Sequence, residues 1–338
     1  MKSKYIIRGG AFVCLVVFFL TTSNLFAQTL DDKREMNMDI RKLQKKAPAP
    51  FKLTTSAAAF FGYDSNVNLS PLKKGDLFEE FLFSAAFSKP LKYNFRFIAS
   101  YDLDGYNYNH MTDTNNVLNH GRLGVYKKIG ALDLGTGFDA AYFYYPNDEN
   151  GTFGFYKCFA SARQYFTKDV YQQLLYEAGY KIHTDRKALA WTAATFQNKE
   201  LESRRQTAEY SLGAFLTKRL FATMKARFSI NDSNAKFLNF YDYKTYEALP
   251  SISYKITDAL NLYTDFRYSR RNYKSRILST GTGAKEKDNL YTTNVDLRYS
   301  LNKNNILSLL YTYRNNATNE PLQEYTENVI SVGWQYTF

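Results

Sequence analysis

The chain has 338 residues, of which 17% are aromatic, 22% are charged and only two are cysteines, and its formal net charge is +12. Cys14 lies in an apolar N-terminal segment, so Cys158 has no intramolecular disulfide partner if that segment is removed. Beyond this segment apolar residues recur singly at every second position and never form a run of ~20, which excludes a helical membrane protein and an ordinary helical core.

The N-terminus has the layout of a secretory signal peptide. Lys2, Lys4 and Arg8 precede an apolar stretch from Ala11 to Leu20, which is too short to span a membrane. Small and polar residues then lead to a cleavage site after Ala27. We therefore predict that residues 1–27 are a signal peptide and that the protein is exported.

Residues 28–50 form a second, charged segment. Met36, Ile40 and Leu43 share one helical face, and the Ala-Pro-Ala-Pro sequence at 47–50 ends the pattern. Two interpretations remain open: a short periplasmic helix or a disordered linker.

From residue 51 to the end, segments of ~10–13 residues alternate apolar and polar positions, the length and pattern of tilted transmembrane strands. We predict an all-β fold, a transmembrane antiparallel up-and-down β-barrel of about 14 strands, with 12 or 16 possible. The strands are predicted at 53–65, 77–88, 92–104, 117–128, 131–144, 152–164, 170–182, 206–217, 220–230, 244–255, 259–271, 289–301, 305–315 and 325–338.

The predicted connections alternate between short and long. Short turns join strands two and three, four and five, and every second pair that follows. The longer connections are rich in Asn, Asp, Gly, Lys and Thr, and the longest runs from 183 to 205. This alternation predicts short periplasmic turns and long extracellular loops in the outer membrane of a Gram-negative-type bacterium.

Charges on a lipid-facing strand surface cost ~2–4 kcal/mol at the bilayer midplane, so the polar face of each strand is predicted to point inward. In strand twelve this places Asp296 and Arg298 inside and Leu297 and Tyr299 in lipid. Applied to the other strands, the rule predicts these pore-lining residues: Arg96, Arg122, Asp139, Lys157, Arg163, Lys225, Arg227, Asp265, Arg267, Asp296, Arg298 and Arg314.

Charges of both signs on the inner face allow two states, a water-filled pore with a transverse field or a narrow lumen braced by ion pairs. In the first state, a ring containing Arg227, Arg267, Arg298 and Arg314 would draw anions inward. The loop 183–205 carries Trp191 and Phe196 among small residues, so we expect it to fold against the rim or into the mouth.

The chain ends in strict alternation on an aromatic residue. Ser331, Gly333, Tyr336 and Phe338 form a polar-x-Gly-x-x-aromatic-x-aromatic pattern. This pattern resembles the C-terminal signal by which outer-membrane β-barrels are recognised for insertion. The resemblance implies a porin-like barrel and, as a partner, the barrel assembly machinery.

Near the end of the first strand, Gly62-Tyr63-Asp64-Ser65-Asn66-Val67 resembles a segment in the barrel domains of surface lipoprotein assembly modifiers. Those barrels are also fourteen-stranded, and the resemblance implies a similar barrel. The tetratricopeptide region of that family is absent from this sequence. A second interpretation of Asp64 and Asn66 is a hairpin turn whose side chains bond their own backbone.

Few residues suggest chemistry. Asp102, Asp104 and His120 fall on neighbouring strands, but no serine or second histidine has the spacing of a known hydrolase. The sequence predicts no catalytic residues, no metal site and no cofactor, since no Cys/His cluster or phosphate loop occurs. The scattered cations predict no nucleic-acid binding.

We therefore predict a passive or solute-selective channel for a small solute. The alternative is a non-transporting barrel that exports, anchors or displays an envelope partner, and an outer-rim hydrolase ranks third. The remaining predicted partners are outer-membrane lipid and lipopolysaccharide, which basic groups near the rim such as Arg270, Arg271 and Lys274 would attract.

Overall fold

The computed structural model describes residues 52–190, 192, 195–279 and 283–338, without the side chains of Lys52, Glu149 and Leu238. The predicted signal peptide and the segment 28–50 lie outside the described residues, as do Trp191 and the neighbouring residues 193 and 194. Within the described ranges, no helix has the length and apolar character needed to cross a membrane.

Fourteen antiparallel strands close into one barrel, as the alternation in the sequence predicts. Each strand pairs with its neighbours in the chain, and the last strand pairs with the first. The strands are β1 (Lys52–Asp64), β2 (Asp76–Pro90), β3 (Phe95–Tyr108), β4 (Asn116–Ile129), β5 (Leu132–Tyr144), β6 (Phe153–Tyr165), β7 (Val170–Leu189), β8 (Phe196–Phe215), β9 (Leu220–Ser233), β10 (Tyr243–Lys255), β11 (Leu260–Ile277), β12 (Lys285–Ser300), β13 (Asn305–Thr318) and β14 (Tyr325–Thr337).

The connections at the two ends of the barrel differ in length. At the periplasmic end, the turns that follow the even-numbered strands span two to four residues. At the outer end the connections are generally longer, and short 3-10 turns lie in several of them, including Thr112–Thr114 and Pro321–Gln323. This arrangement is the one expected of an outer-membrane barrel.

Two predicted loops are mostly strand. The connection predicted at 183–205 is shortened because β7 continues to Leu189 and β8 begins at Phe196, with Lys187 still opposite Glu200. In the same way, β11 reaches Ile277 and β12 begins at Lys285. The sequence does not reveal these extensions, because apolar and polar residues alternate only where a strand contacts lipid. Backbone pairing between the two strands continues beyond the membrane edge.

The two faces of the wall differ in chemistry. Large apolar side chains point outward, and aromatic residues gather toward both ends of the outer face, as in outer-membrane barrels. Near the periplasmic end the exposed aromatic residues include Tyr254, Tyr299, Trp334 and Phe338. Near the outer end they include Tyr63, Tyr142, Tyr144, Tyr156, Tyr246 and Tyr291.

The C-terminal strand closes the barrel against β1. The backbone N–H of Phe338 donates to the Thr55 carbonyl at 3.0 Å, beyond the last residue of β14. Phe60 lies opposite Gly333 on the inner face, and a Cβ on this glycine would stand 2.1 Å from the Phe60 ring. Glycine at this position therefore allows the phenylalanine ring to cover the seam between the first and last strands.

The register of β12 predicts opposite effects for neighbouring substitutions. Leu297 lies opposite Leu262 and Leu309, whereas Arg298 contacts Asp296 on the inner face. Leu297→Arg, three residues from the periplasmic end of β12, should cost about 1–2 kcal/mol and lower the folded fraction in lipid vesicles, because it places a charge in hydrocarbon. Arg298→Gln is the control and should fold normally; equal folding of both variants would mean that the register is displaced by one residue.

The seam predicts an assembly defect at Phe338. Phe338→Asp puts a charge beside the Tyr336 ring, whose centroid lies 4.9 Å from that of Phe338. We expect severalfold less heat-modifiable barrel in cells, measured by gel shift after outer-membrane isolation. Phe166→Asp, in an exposed periplasmic turn, is the matched control. Normal levels of the Phe338 variant would remove the terminal residues from the assembly signal.

Candidate functional site

The interior of the barrel holds the residues that the sequence predicts to line a pore. The twelve side chains share the inner face, as cross-strand partners such as Arg122, Asp139 and Lys157 illustrate on β4, β5 and β6. Their orientation follows from strand alternation, because the apolar residues between them face outward. That these side chains line a conducting pore stays a prediction.

Glu247 is the centre of one interior network. Its carboxylate accepts hydrogen bonds from Arg227, at 3.3 Å, and from the guanidinium of Arg267. Arg227 also donates to Glu209 at 2.7 Å, and Lys225 lies 3.7 Å from the same carboxylate. Four neighbouring strands, β8 to β11, are thereby connected by charge-assisted bonds on the inner face.

His120 is the centre of a second network. Its Nδ1 lies 3.3 Å from Asp102 and its Nε2 lies 3.0 Å from Asp139. Each ring nitrogen is therefore within hydrogen-bond distance of a carboxylate. Lys157 extends the network, because its Nζ lies 3.6 Å from both Asp139 and Glu177. The network runs along the inner wall from β3 to β7.

The remaining predicted residues also meet partners along the wall. Arg298 contacts Asp296 at 2.5 Å, and Arg314 contacts Glu327. Asn294 donates to Asp265 at 2.8 Å. Since the four arginines expected to form an anion-attracting ring each contact a carboxylate, they do not form an uncompensated ring.

Two inward arginines contact neutral groups. Arg122 lies over the ring of Phe159, with its guanidinium carbon 4.1 Å from the ring centroid. Arg163 donates two hydrogen bonds to the side-chain oxygen of Gln173, at 2.7 and 2.9 Å, and lies over the Tyr171 ring. These two side chains add positive charge to the wall formed by β4 and β6.

Opposite sides of the interior carry opposite charge. In a ring of fourteen strands β2 faces β9, and the described inner-face charges differ between these two sides. Carboxylates predominate on the acidic wall, β1 to β3, where Asp64, Asp76, Glu80, Asp102 and Asp104 accompany Arg96. Cations predominate on the basic wall, β6 to β9, where Lys157, Arg163, Lys181, Arg205, Lys225 and Arg227 accompany Glu177 and Glu209.

Inner-face side chains lose exposure toward the outer end of the barrel. On β7, Gln173 and Glu177 are half-buried, whereas Lys181 and His183 are buried. On β12, the inward side chains of Glu286, Asp288, Thr292, Asn294 and Asp296 are buried, whereas those of Leu290 and Arg298 are half-buried. The interior is therefore more open at the periplasmic half and more densely filled at the outer half.

Part of this filling comes from the connection between β1 and β2. Val67 and Leu69 are buried, and Val67 packs with Phe78 and Tyr108 on the inner face of β2 and β3. The Asn66 side chain donates to the carbonyls of Ser70, at 2.8 Å, and Thr326, at 3.0 Å. The connection is thus bonded to itself and to β14, the strand beside β1.

These contacts bear on the Gly-Tyr-Asp-Ser-Asn-Val motif. The Asp64 carboxylate accepts the backbone N–H of Asn66 at 2.9 Å, and Asn66 Oδ1 accepts the N–H of Ser70. Such bonds define a turn held by its own side chains. The structure therefore supports the hairpin-turn interpretation of Asp64 and Asn66.

The β7–β8 hairpin extends above the barrel and packs at the rim. Ala188, Leu189 and Leu201 are buried against Ala235, Phe240 and Tyr241 of the β9–β10 connection. Phe196, which was expected to be covered, is 46% exposed. The hairpin thus packs against the rim, and the β1–β2 connection contributes part of the filling of the mouth.

The structure also shows interior aromatic residues, which lie on the same alternation as the inward charged residues of their strands. Phe153 and Phe155 are buried on the inner face of β6 and lie beneath Lys181 and Arg205, respectively. On β10 and β11, Arg271 lies 4.4 Å above the Tyr243 ring and Arg276 lies 4.5 Å above the Tyr273 ring. Each of these aromatic rings is covered by a lysine or arginine side chain on the same inner face, and such a cation–aromatic pair is stable inside a barrel.

The arrangement around His120 does not match a hydrolase. Both imidazole nitrogens contact carboxylates, and Ser84 donates to Asp102 at 2.6 Å rather than to the imidazole. A serine nucleophile requires a base nitrogen within hydrogen-bond reach. Among the described residues, no group of three or more His, Cys, Asp or Glu side chains is arranged to hold a metal ion.

Comparisons with known proteins agree with the barrel architecture. A family model described as "Putative beta-barrel porin 2" matches residues 215–338, which include β9 to β14. No curated protein sequence matches the chain.

Solved structures of similar shape include three outer-membrane barrels. Vibrio cholerae OmpT is 11% identical, with 87% of this chain and 99% of that chain covered and a TM-score of 0.47. The Pseudomonas putida toluene transporter TodX is 9% identical, with coverage of 86% and 90% and a TM-score of 0.43. The Neisseria meningitidis NalP translocator domain is 12% identical, with coverage of 94% and 98% and a TM-score of 0.40. At this level of similarity, the function has to be argued from this chain's own residues.

The Glu247 network predicts a loss of stability when its centre is neutralised. Glu247→Gln leaves Arg267 without this carboxylate in a half-buried site, and we expect a loss of about 1–3 kcal/mol. The urea midpoint of the refolded barrel measures the change. Glu324→Gln, in an exposed connection, is the matched control. Equal midpoints for both variants would mean that water solvates Arg267 and that the network adds no stability.

Proposed function

We propose that this outer-membrane porin-like barrel is a channel for small, water-soluble solutes that carry charge or a strong dipole. The main support is the charged interior, in which β1 and β2 of the acidic wall lie opposite β8 and β9 of the basic wall. Fixed charges of opposite sign on facing walls orient dipolar solutes and exclude apolar ones. A barrel that only presents loops to a partner has no need of such a lining.

The dimensions of the barrel support this proposal. Fourteen strands ~4.7 Å apart and tilted by ~40° give a backbone radius of about 14 Å, which leaves space along the axis beside extended side chains. The interior networks around Glu247 and His120 run along the wall between neighbouring strands. Ion pairs of this kind stabilise the wall without crossing the lumen.

The outer half would then be the constriction. There the β1–β2 connection packs with Phe78 and Tyr108, and inner-face side chains are buried. A solute entering from outside meets this region first, whereas the more open periplasmic half offers less resistance. Selection by size and charge is therefore expected near the outer mouth.

A second candidate function follows from the dense packing of side chains in the outer half of the barrel. If the outer half admits no solute, the barrel would instead display or anchor an envelope partner through its rim, including the β7–β8 hairpin that rises above it. An outer-rim hydrolase is weaker still, because His120 faces the interior and contacts carboxylates at both ring nitrogens.

Conductance of the refolded protein in planar bilayers separates these functions. We expect discrete channel openings, and a larger single-channel conductance when residues 66–73 are replaced by a short Gly-Ser linker. The enlargement follows because Val67 and Leu69 leave the mouth. The gain should be about twofold or more, if this connection is the main constriction.

The control replaces residues 190–195, at the tip of the β7–β8 hairpin, by a linker of the same composition. Its conductance should equal that of the parent, since the hairpin packs at the rim on Phe240 and Tyr241. Absence of openings in the parent and in both variants, with the barrel folded by heat-modifiability, would overturn the channel function and favour the display function.

A further inference from the structure

A set of basic side chains faces outward at the outer rim of β10, β11 and β12. Lys244, Arg270 and Lys287 are exposed and lie on the outer face. Lys244 and Lys287 are both paired with Asn272, so these two lysines stand in one row with a single strand between them. Arg270 lies two residues along β11 from that row, and its Nε is 3.4 Å from the Asn272 side-chain oxygen.

An aromatic layer lies directly beneath this set on the same face. Tyr246 pairs with Arg270, and Tyr268 pairs with Tyr291 with ring centroids 5.3 Å apart. The layer continues to β9, where the Phe228 ring is 5.1 Å from that of Tyr246. Aromatic residues of this kind mark the boundary between hydrocarbon and headgroups. The cations therefore lie at headgroup depth.

Within β10, β11 and β12, no acid on the outer face balances the positive charge of this surface; on the adjoining β9, the exposed Asp232 lies opposite Arg204. The acidic residues of these strands point inward: Glu247 contacts Arg267, and Glu286 contacts Arg276 at 2.7 Å with both side chains buried. Alternation thus places the carboxylates of these strands inside with arginine partners and leaves Lys244, Arg270 and Lys287 on the outer face. Lys274 and Lys285 are also exposed and extend the positive surface, although Lys274 lies 3.3 Å from Asp242.

Other parts of the rim differ. At the corresponding outward positions of β2, β3 and β4, the residues are Glu79, Asn107 and Asn119, an acid and two neutral amides. Arg271, which the sequence groups with Arg270, is not part of the surface. Arg271 is adjacent to Arg270 in β11, so its side chain points to the opposite, inner face, where it lies over the Tyr243 ring. This basic surface therefore has no counterpart at the compared positions of β2, β3 and β4.

We propose that Lys244, Arg270 and Lys287 form a binding site for the phosphate groups of a phosphorylated glycolipid in the outer leaflet. Neighbouring strands are ~4.8 Å apart, so three long side chains on adjacent strands converge on one or two phosphates. An arginine fork and two ammonium groups match doubly charged phosphate monoesters better than the single charge of a phosphodiester. The aromatic layer beneath would contact the first part of the acyl chains.

This site is independent of whether the lumen conducts, since its side chains face away from the interior. The outer leaflet is the occupant's source because the longer connections place this end of the barrel outward. Zwitterionic or diester phospholipids are the competing source of phosphate, and the experiment distinguishes them.

The test measures lipid binding to the refolded full-length barrel in detergent micelles by native mass spectrometry. The probes are bisphosphorylated lipid A, the same lipid A with both phosphates removed, and phosphatidylglycerol. The parent should bind bisphosphorylated lipid A at least tenfold more tightly than either other lipid. The variant Lys244→Gln/Arg270→Gln/Lys287→Gln should lose about tenfold in affinity for it and bind the dephosphorylated form unchanged.

The matched control, Lys168→Gln/Lys218→Gln/Arg219→Gln, removes the same charge from exposed periplasmic turns and should bind like the parent. Lys244→Arg/Lys287→Arg keeps the charge and should retain affinity. Equal lipid A affinities of the two triple variants would show that Lys244, Arg270 and Lys287 do not form the binding site.

If phosphatidylglycerol binds as tightly as lipid A, the occupant is not specifically a phosphorylated glycolipid. Each variant is first shown to fold by its gel shift on heating.

Discussion

Backbone hydrogen bonding around the closed ring of strands is the constraint on which the rest of this structure depends. Hydrocarbon offers no partner to an unpaired N–H or carbonyl, so a sheet can span a membrane only if its first and last strands meet. Here β14 meets β1 along the register from Ser56–Thr337 to Asp64–Val329. Closure then fixes which side chains face lipid and which face the axis, because successive residues of each strand point to opposite faces of the wall.

Charge distribution follows from this geometry. Inward positions hold carboxylates and cations in close contact, as around Glu247, where two arginines share one carboxylate. Desolvating such groups would be costly in an apolar wall, but hydrogen bonds between neighbours and access to water in the lumen offset that cost. The same alternation leaves Lys244 and Arg270 outside without acidic neighbours. One periodicity thus produces a charged lumen and a charged rim with different partners.

The outer half of the barrel shows how function would be added to this frame. The β1–β2 connection is held by the bonds of Asn66 and by the burial of Val67, and it narrows the mouth without altering the wall. Rigid strands position the interior charges, whereas the connection determines how much space remains between them. In the proposed channel, selectivity would therefore depend on the inner face and permeability on this connection.

The sequence by itself determined the barrel, its fourteen strands and the parity of each strand, because lipid contact imposes a period of two that is visible in residues such as Leu297, Arg298 and Tyr299. It did not determine where strands end above the membrane, as β7 and β8 show, since pairing there proceeds without lipid contact.

Only the tertiary structure decided which interior charges meet. The contact of His120 with both Asp102 and Asp139, and the burial of Val67 among Phe78 and Tyr108, depend on register and on the path of a connection across the mouth. Phe153 shares the inner-face alternation of Lys157, so the sequence places it inside, but the position of its ring beneath Lys181 depends on the pairing of β6 with β7. The face to which a side chain points can be read from its neighbours in the sequence. These contacts, in contrast, join strands and loops that only the closed barrel brings together.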